Sequence, residues 1–238
     1  MDLIVCSDQL LLENHGRINN ICNELTEHIR RGNRFLLTTR KCHSDLFEWD
    51  FRGFIPCPSI LDRKNFKYTE VSCEDGLFLY DADGKVINCN SLSQEAVKTL
   101  RTVGDKDDNV TVFETRPWPK ISAGDDDIAA ICFNLESPKH RKKTLKLINQ
   151  TISEIKTGEK ITCNLTEDPS REDIMGYRQM YEVRLASSTE DGQIAYLKDS
   201  HGILDESVLD LRNTDPQTIE GKIKAFRRRN SKFKMFFR

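Results

Sequence analysis

Apolar residues recur along the chain with two periods. Ile18, Ile21, Cys22, Leu25 and Ile29 repeat at steps of three and four, which stacks them on one face and predicts a helix over about residues 14–31. Arg30 and Arg31 suit its negative end, and Gly32 can close it in the left-handed conformation. Leu145, Ile148, Ile152 and Ile155 mark a second helix, opened by Ser137 and Pro138 and closed by Gly158. Strands are predicted at residues 35–39, at Phe47, Trp49 and Phe51, at 128–133, at Ile161, Cys163 and Leu165, and at 181–186. A further strand over Ile194–Leu197 is expected after a Ser-Ser-Thr-Glu-Asp-Gly turn. Residues 77–87 read as a hairpin turning at Asp81–Gly84. Ser91 with Gln94 caps a short helix to Leu100. Residues 104–109 and 116–127 read as polar loops.

These elements predict an α+β fold: a single mixed α/β domain over residues 1–221, then a basic helical tail over 222–238. The one candidate sub-boundary lies near 104–127. The chain has 238 residues, 37% hydrophobic and 31% charged, a composition that folds. No apolar run is long enough to span a bilayer, and the first residues do not read as a secretory signal. Eight cysteines without a Cys-x-x-Cys pair are expected to be reduced thiols, in a protein of the cytoplasm or nucleus.

Charge changes the picture. The net charge is −2, yet residues 222–238 hold eight Lys or Arg and no acid. The rest, with 28 basic against 38 acidic side chains, stands at −10. As a helix, the tail aligns Ile223, Phe226, Asn230, Phe233 and Phe237 on one seam. Lys222, Lys224, Arg228, Arg229, Lys232 and Lys234 flank it, and Arg227 joins Arg228 and Arg229 in a nuclear-import-like triplet. A basic amphipathic helix suits nucleic acid, an acidic protein groove or an anionic membrane surface. It can equally dock its apolar seam on the core and leave its charges in water. A second basic group, Lys139, His140, Arg141, Lys142, Lys143 and Lys146, sits in the first turns of the helix after Ser137. Cations there oppose the helix dipole, so an anionic ligand, a phosphate, is the expectation.

Catalytic signals are few. Phe78-Leu79-Tyr80-Asp81-Ala82-Asp83-Gly84-Lys85-Val86-Ile87 resembles the first motif of the haloacid dehalogenase-like phosphatases. In that family an Asp-x-Asp at a strand end supplies a nucleophile and an acid/base around magnesium. The resemblance implies those roles for Asp81 and Asp83, and the helix over Ser91–Val103 is similar to the family's next element. It covers about thirty residues. Lys85 stands where the family prefers Thr, and the family usually places this motif near its N-terminus. Gly124-Asp125-Asp126-Asp127 imitates a late acidic metal motif without a strand leading into it. Asp105–Asn109 lacks the Gly and Glu of a calcium loop, and Cys42, His43, Cys57 and Cys73 match no zinc module.

The sequence therefore points to a non-enzymatic protein that binds nucleic acid, RNA before DNA, or another polyanion, through the tail and the Lys139–Lys146 surface. One alternative is a regulatory protein-interaction or self-associating module with the tail helix as its dock. Another is a metal-dependent phosphatase or nuclease using Asp81 and Asp83. No cofactor and no metal ligand set are expected.

Overall fold

The computed structural model describes residues 1–12, 18–40, 68–81, 84–117, 127–135, 138–166 and 180–236. It is a mixed α/β fold in two compact units. The first joins Met1–Asn88 to Glu190–Arg238, and the second is Cys89–Thr189. Residues 104–127 lie inside the second unit. The strand expected at Phe47–Phe51 and the acidic stretch 124–126 lie outside the described residues.

The first unit is built on β1 (Leu3–Ser7), β2 (Arg34–Thr38), β3 (Thr69–Cys73), β4 (Phe78–Asp81), β5 (Val86–Cys89) and β10 (Val208–Asp210), in the order β10-β1-β2-β3-β4-β5. β10, β1, β2 and β3 are parallel, and β4 runs antiparallel to β3. Leu3, Ile4 and Val5 are wholly buried. A parallel strand covered on both faces reads as a continuous apolar run, which is why Leu3-Ile4-Val5-Cys6 gave no alternating signal. One face of the sheet buries Leu3, Val5, Leu36 and Leu79 against Ile194, Leu197 and Ile203. Ile194 and Leu197 belong to helix α5 (Glu190–His201), not to the expected strand. Glu190 and Asp191 suit the positive end of that helix, and Gly192 lies inside its first turn instead of making a hairpin.

α1 (Asp8–Leu12) follows β1, and α2 (Ile18–Arg30) lies against β2. Gly32 takes φ 78° as expected, its N–H bonding the Ile29 carbonyl. Cys22, expected to be a free thiol, is disulfide-bonded.

The second unit holds α3 (Gln94–Lys106), β6 (Val110–Thr115), β7 (Ala130–Leu135), α4 (Arg141–Glu154), β8 (Ile161–Thr166) and β9 (Met180–Leu185). Its sheet order is β6-β7-β9-β8, antiparallel throughout. Val97, Leu100, Val103 and Ile148 of the two helices bury against Ile131, Phe133, Tyr181 and Val183. The Ser93 hydroxyl accepts the Ala96 N–H and caps α3, which continues to Lys106 through what reads as a polar turn.

The tail is helix α6 (Ile219–Phe236), and it packs against α2. Ile219 and Ile223 are fully buried, and Phe226 is buried against the His28 ring at 6.4 Å. Arg227 pairs with Glu24 and Glu27, and Lys224 with Glu220 at 2.5 Å. Arg229 lies over the Phe226 ring and donates to the Glu206 carbonyl at 2.9 Å. A free basic arm is therefore not what these residues form. The side chains of Lys232, Phe233, Lys234 and Phe237 lie outside the described residues.

Two outcomes follow. Phe226→Ala is expected to lower stability by roughly 3 kcal/mol, because it opens a cavity between α2 and α6; urea unfolding measures this. Burial holds the His28 imidazole down to about 4 from 6.5. Its folded value is depressed, so the unfolded chain binds the proton more readily. The contribution of about 3 kcal/mol is full above pH 6.5 and is lost as pH falls toward 4. The unfolding midpoint should drop between pH 7 and 4.5, and His28→Gln should flatten that slope.

Candidate active site

In open sheets with parallel strands, ligands bind outside the carboxyl ends of the strands, where the strand order reverses. Here β1, β2 and β3 advance in one direction while β10 lies on the other side of β1, so the reversal falls between β1 and β10. The polar residues that leave those strand ends form the candidate site.

β1 ends in Cys6-Ser7-Asp8. Cys6 is 1% exposed, and its thiol is pushed up to about 12 by burial and by the carboxylates of Asp210 and Asp8. It stays protonated, with Sγ donating weakly to the Ser7 carbonyl at 3.6 Å. Asp8 turns the chain into α1. Its Oδ2 accepts the Thr39 hydroxyl at 2.9 Å and its Oδ1 accepts the Gln9 N–H at 2.7 Å. Thr39 follows the end of β2, and its N–H bonds the Ser72 carbonyl of β3 at 2.9 Å. The neighbouring Thr38 is fully buried, and its hydroxyl has no hydrogen-bond partner among the described residues.

Arg40 comes next, with a largely exposed guanidinium 3.3 Å from Asp75. The chain leaving β3 is strained: Glu74 and Asp75 have φ of 52° and 54°, and Gly76 has 90°. Side chains in that region cost about 1–3 kcal/mol each and concentrate where a backbone is held for a purpose. The Gln193 amide, buried on α5, donates to the Gly76 carbonyl at 2.7 Å and fixes this turn.

Arg212 crosses the edge after β10. Its guanidinium meets Asp210 at 2.5 Å, Asp191 at 2.6 Å and Glu190 at 2.9 Å. The Asp210 hydrogen bonds, against burial, raise the Arg212 pKa above its ordinary value, with Asp191 and Glu190 adding to the effect. Burial opposes ionisation of Asp210, but its bonds to Arg212 hold it below the usual carboxylate range.

The sequence-predicted residues fall elsewhere. Asp81 ends β4 opposite Glu70, near the start of β3, and so lies at the amino-terminal edge of the parallel strands. Its Oδ1 accepts the Lys85 N–H at 2.8 Å and its carbonyl accepts the Gly84 N–H, an ordinary hairpin turn. Asp83 lies outside the described residues. The Lys139–Lys146 group is on α4 and the short turn before it, in the second unit. There Lys143 stands 3.6 Å from Asp107, whose carboxylate is buried. The Asn109 amide, against burial, keeps Asp107 below the usual range, with Lys143 and Thr144 adding to it. The Arg141 carbonyl accepts the Tyr181 hydroxyl at 3.4 Å, and Lys142 and Lys146 are exposed. Lys139 is exposed and His140 half-buried. Lys222 reaches the Thr214 hydroxyl, and Lys224, Arg227 and Arg229 are engaged as described above. Pattern reasoning missed Asp8, Thr39, Asp210 and Arg212; the available signal was the run Leu3–Cys6 ending at a carboxylate.

No protein-family model matches the chain, and no curated protein matches it in sequence. Solved structures do share its fold. A haloacid dehalogenase-like hydrolase from Bacteroides thetaiotaomicron is 11% identical, with TM-score 0.50, over 88% of this chain and 80% of that one. An HAD/Cof-like hydrolase from Plasmodium vivax is 12% identical, with TM-score 0.51, over 88% and 77%. A protein from Eubacterium rectale is 13% identical, with TM-score 0.55, over 88% and 80%. At this identity the likeness shows the fold, that of haloacid dehalogenase-like hydrolases. It overturns the reading of an RNA-binding or protein-interaction module working through its tail, since the fold is one shared with solved hydrolases and the tail helix packs against α2.

Magnesium, which the resemblance to this family implies, does not fit the residues present. Among the described residues no three His, Cys, Asp or Glu side chains are placed to hold a metal ion. At the β1 end stand the protonated thiol of Cys6, Ser7 and Asp8, and Asp210 is taken by Arg212. The state of Cys6 can be checked directly. In the folded protein it should resist iodoacetamide at pH 8 and react only after denaturation, as read by peptide mass spectrometry.

Proposed function

We propose that this chain acts on phosphate monoesters at the carboxyl edge of β1, β2 and β10. The observation that carries this reading is the Asp8–Thr39 pair, 2.9 Å apart, at adjacent parallel strand ends of a phosphatase-type fold. A carboxylate held by a hydroxyl is oriented for proton transfer. Arg40, exposed beside it, offers a planar guanidinium that can take two phosphoryl oxygens.

In that geometry water attacks phosphorus as the bridging P–O bond breaks. Asp8 takes a proton from the water and returns it to the departing alcohol oxygen. Cys6 takes no covalent part, because a thiol pushed up to about 12 supplies no thiolate near neutral pH. The edge offers the developing charge the Arg40 guanidinium, and its side chains do not fit a divalent ion, so turnover is expected to be slow by the standards of metal-assisted phosphoryl transfer.

The test is hydrolysis of p-nitrophenyl phosphate and a panel of sugar phosphates, with binding followed by phosphorus NMR. Asp8→Asn should lower turnover by about 100-fold, the scale of lost acid-base catalysis, with little effect on binding. Cys6→Ala should stay within a few-fold of wild type. Folded wild-type protein that neither binds nor hydrolyses any member of the panel would overturn the reading.

A further inference from the structure

We infer that Arg212 is the resident cation of this edge, occupying with its own side chain the carboxylates that would otherwise attract a divalent ion. The inference rests on the carboxyl edge of β1 and β10 being the working face, but its chemistry can be read without any phosphate ester.

Three carboxylates from two separate elements converge on Arg212. Asp210 ends β10, and Glu190 and Asp191 open α5. A guanidinium has five N–H donors in a fixed fork and no acceptor, so it can satisfy several carboxylates at once where a lysine would satisfy fewer. The fork is well used. Nε lies 3.0 Å and 3.1 Å from the two oxygens of Asp210, and one terminal nitrogen bridges Asp210 and Asp191. The other terminal nitrogen reaches Glu190 at 2.9 Å, and the Arg212 backbone N–H also donates to Asp210.

The Arg212 side chain is only 16% exposed, so this cation is held in place and is not a passing surface contact. Asp210 therefore accepts several hydrogen bonds from Arg212 alone. A hard divalent ion needs oxygen lone pairs and open room for its waters, and here it meets a fixed positive charge instead. With one cation against three carboxylates, the cluster keeps a net negative charge. Removing the arginine would leave three carboxylates without their shared counter-ion, two of them on one helix turn.

The experiment measures manganese binding by water-proton relaxation and thermal shift in the full chain. Wild type is expected to bind none at millimolar concentration, and EDTA should leave its melting temperature and its phosphate-ester binding unchanged. Arg212→Met should acquire a weak site, with Kd of roughly 0.1–1 mM, the range of loosely built calcium modules. Magnesium and calcium should compete for it. Arg212→Lys, which keeps the charge but loses the fork, should remain without one.

Manganese bound by the wild type, displaced by magnesium and lost in Asp210→Asn, would overturn the inference, and that measurement stands whether or not the Met variant folds. A folded Arg212→Met protein that binds no ion would overturn it as well. If wild type binds no metal and also no phosphate ester, the function proposed above fails and the role of Arg212 stands.

Discussion

The parallel pairing of β1 between β2 and β10 is the constraint on which the rest depends. It places the first apolar run of the chain inside a sheet, with Leu3, Ile4 and Val5 shut off from solvent on both faces. It also brings the ends of three strands, far apart in sequence, to one edge. Asp8, Thr39 and Arg212 have no relation along the chain. They come to one sheet edge because their strands are parallel and in register, Ser7 beside Thr38 and Val5 beside Asp210. Everything chemical at the edge, from the raised thiol of Cys6 to the Arg212 cluster, is a consequence of that convergence.

Much of the fold was legible in the sequence, wherever one face of an element meets water. The α2 seam of Ile21, Cys22, Leu25 and Ile29 is buried as its spacing requires, and the 77–87 hairpin, β7, α4 and β8 follow their patterns. What was not legible is instructive. β1 has no polar face to alternate with, and β10 is only three residues long. α5 carries a glycine and a buried glutamine, which blur its apolar stripe into something like a turn and a strand. The site was hidden for the same reason, since two of the three strands that assemble it, β1 and β10, carry the weakest local signal.

Charge patterns proved harder to read than apolar ones. The tail is basic, yet Arg227 faces α2, where it pairs with Glu24 and Glu27. A run of cations with no nearby acid in sequence can have acids nearby in space. The same holds for Lys143, beside the buried Asp107. By contrast Asp81-Ala82-Asp83, the stretch that resembles a catalytic motif most closely in letters, begins with a turn residue at the opposite end of the sheet. A motif acquires chemistry from the strand end it occupies, and the carboxylate that leaves the β1 end is Asp8.

The interruption of the first unit by residues 89–189 has a consequence for how the protein comes into being. Leu3 pairs with Val208, so β1 waits for about two hundred residues to be synthesised before its second neighbour exists. Closing so long a loop is slow, although its entropy cost grows only logarithmically with length. During translation the intervening unit has its residues complete first and can fold while the outer one is still open. A chain stopped before Val208 leaves the ribosome with β1 unpaired on one side and without Arg212. The site thereby forms only after both segments of the first unit have been made.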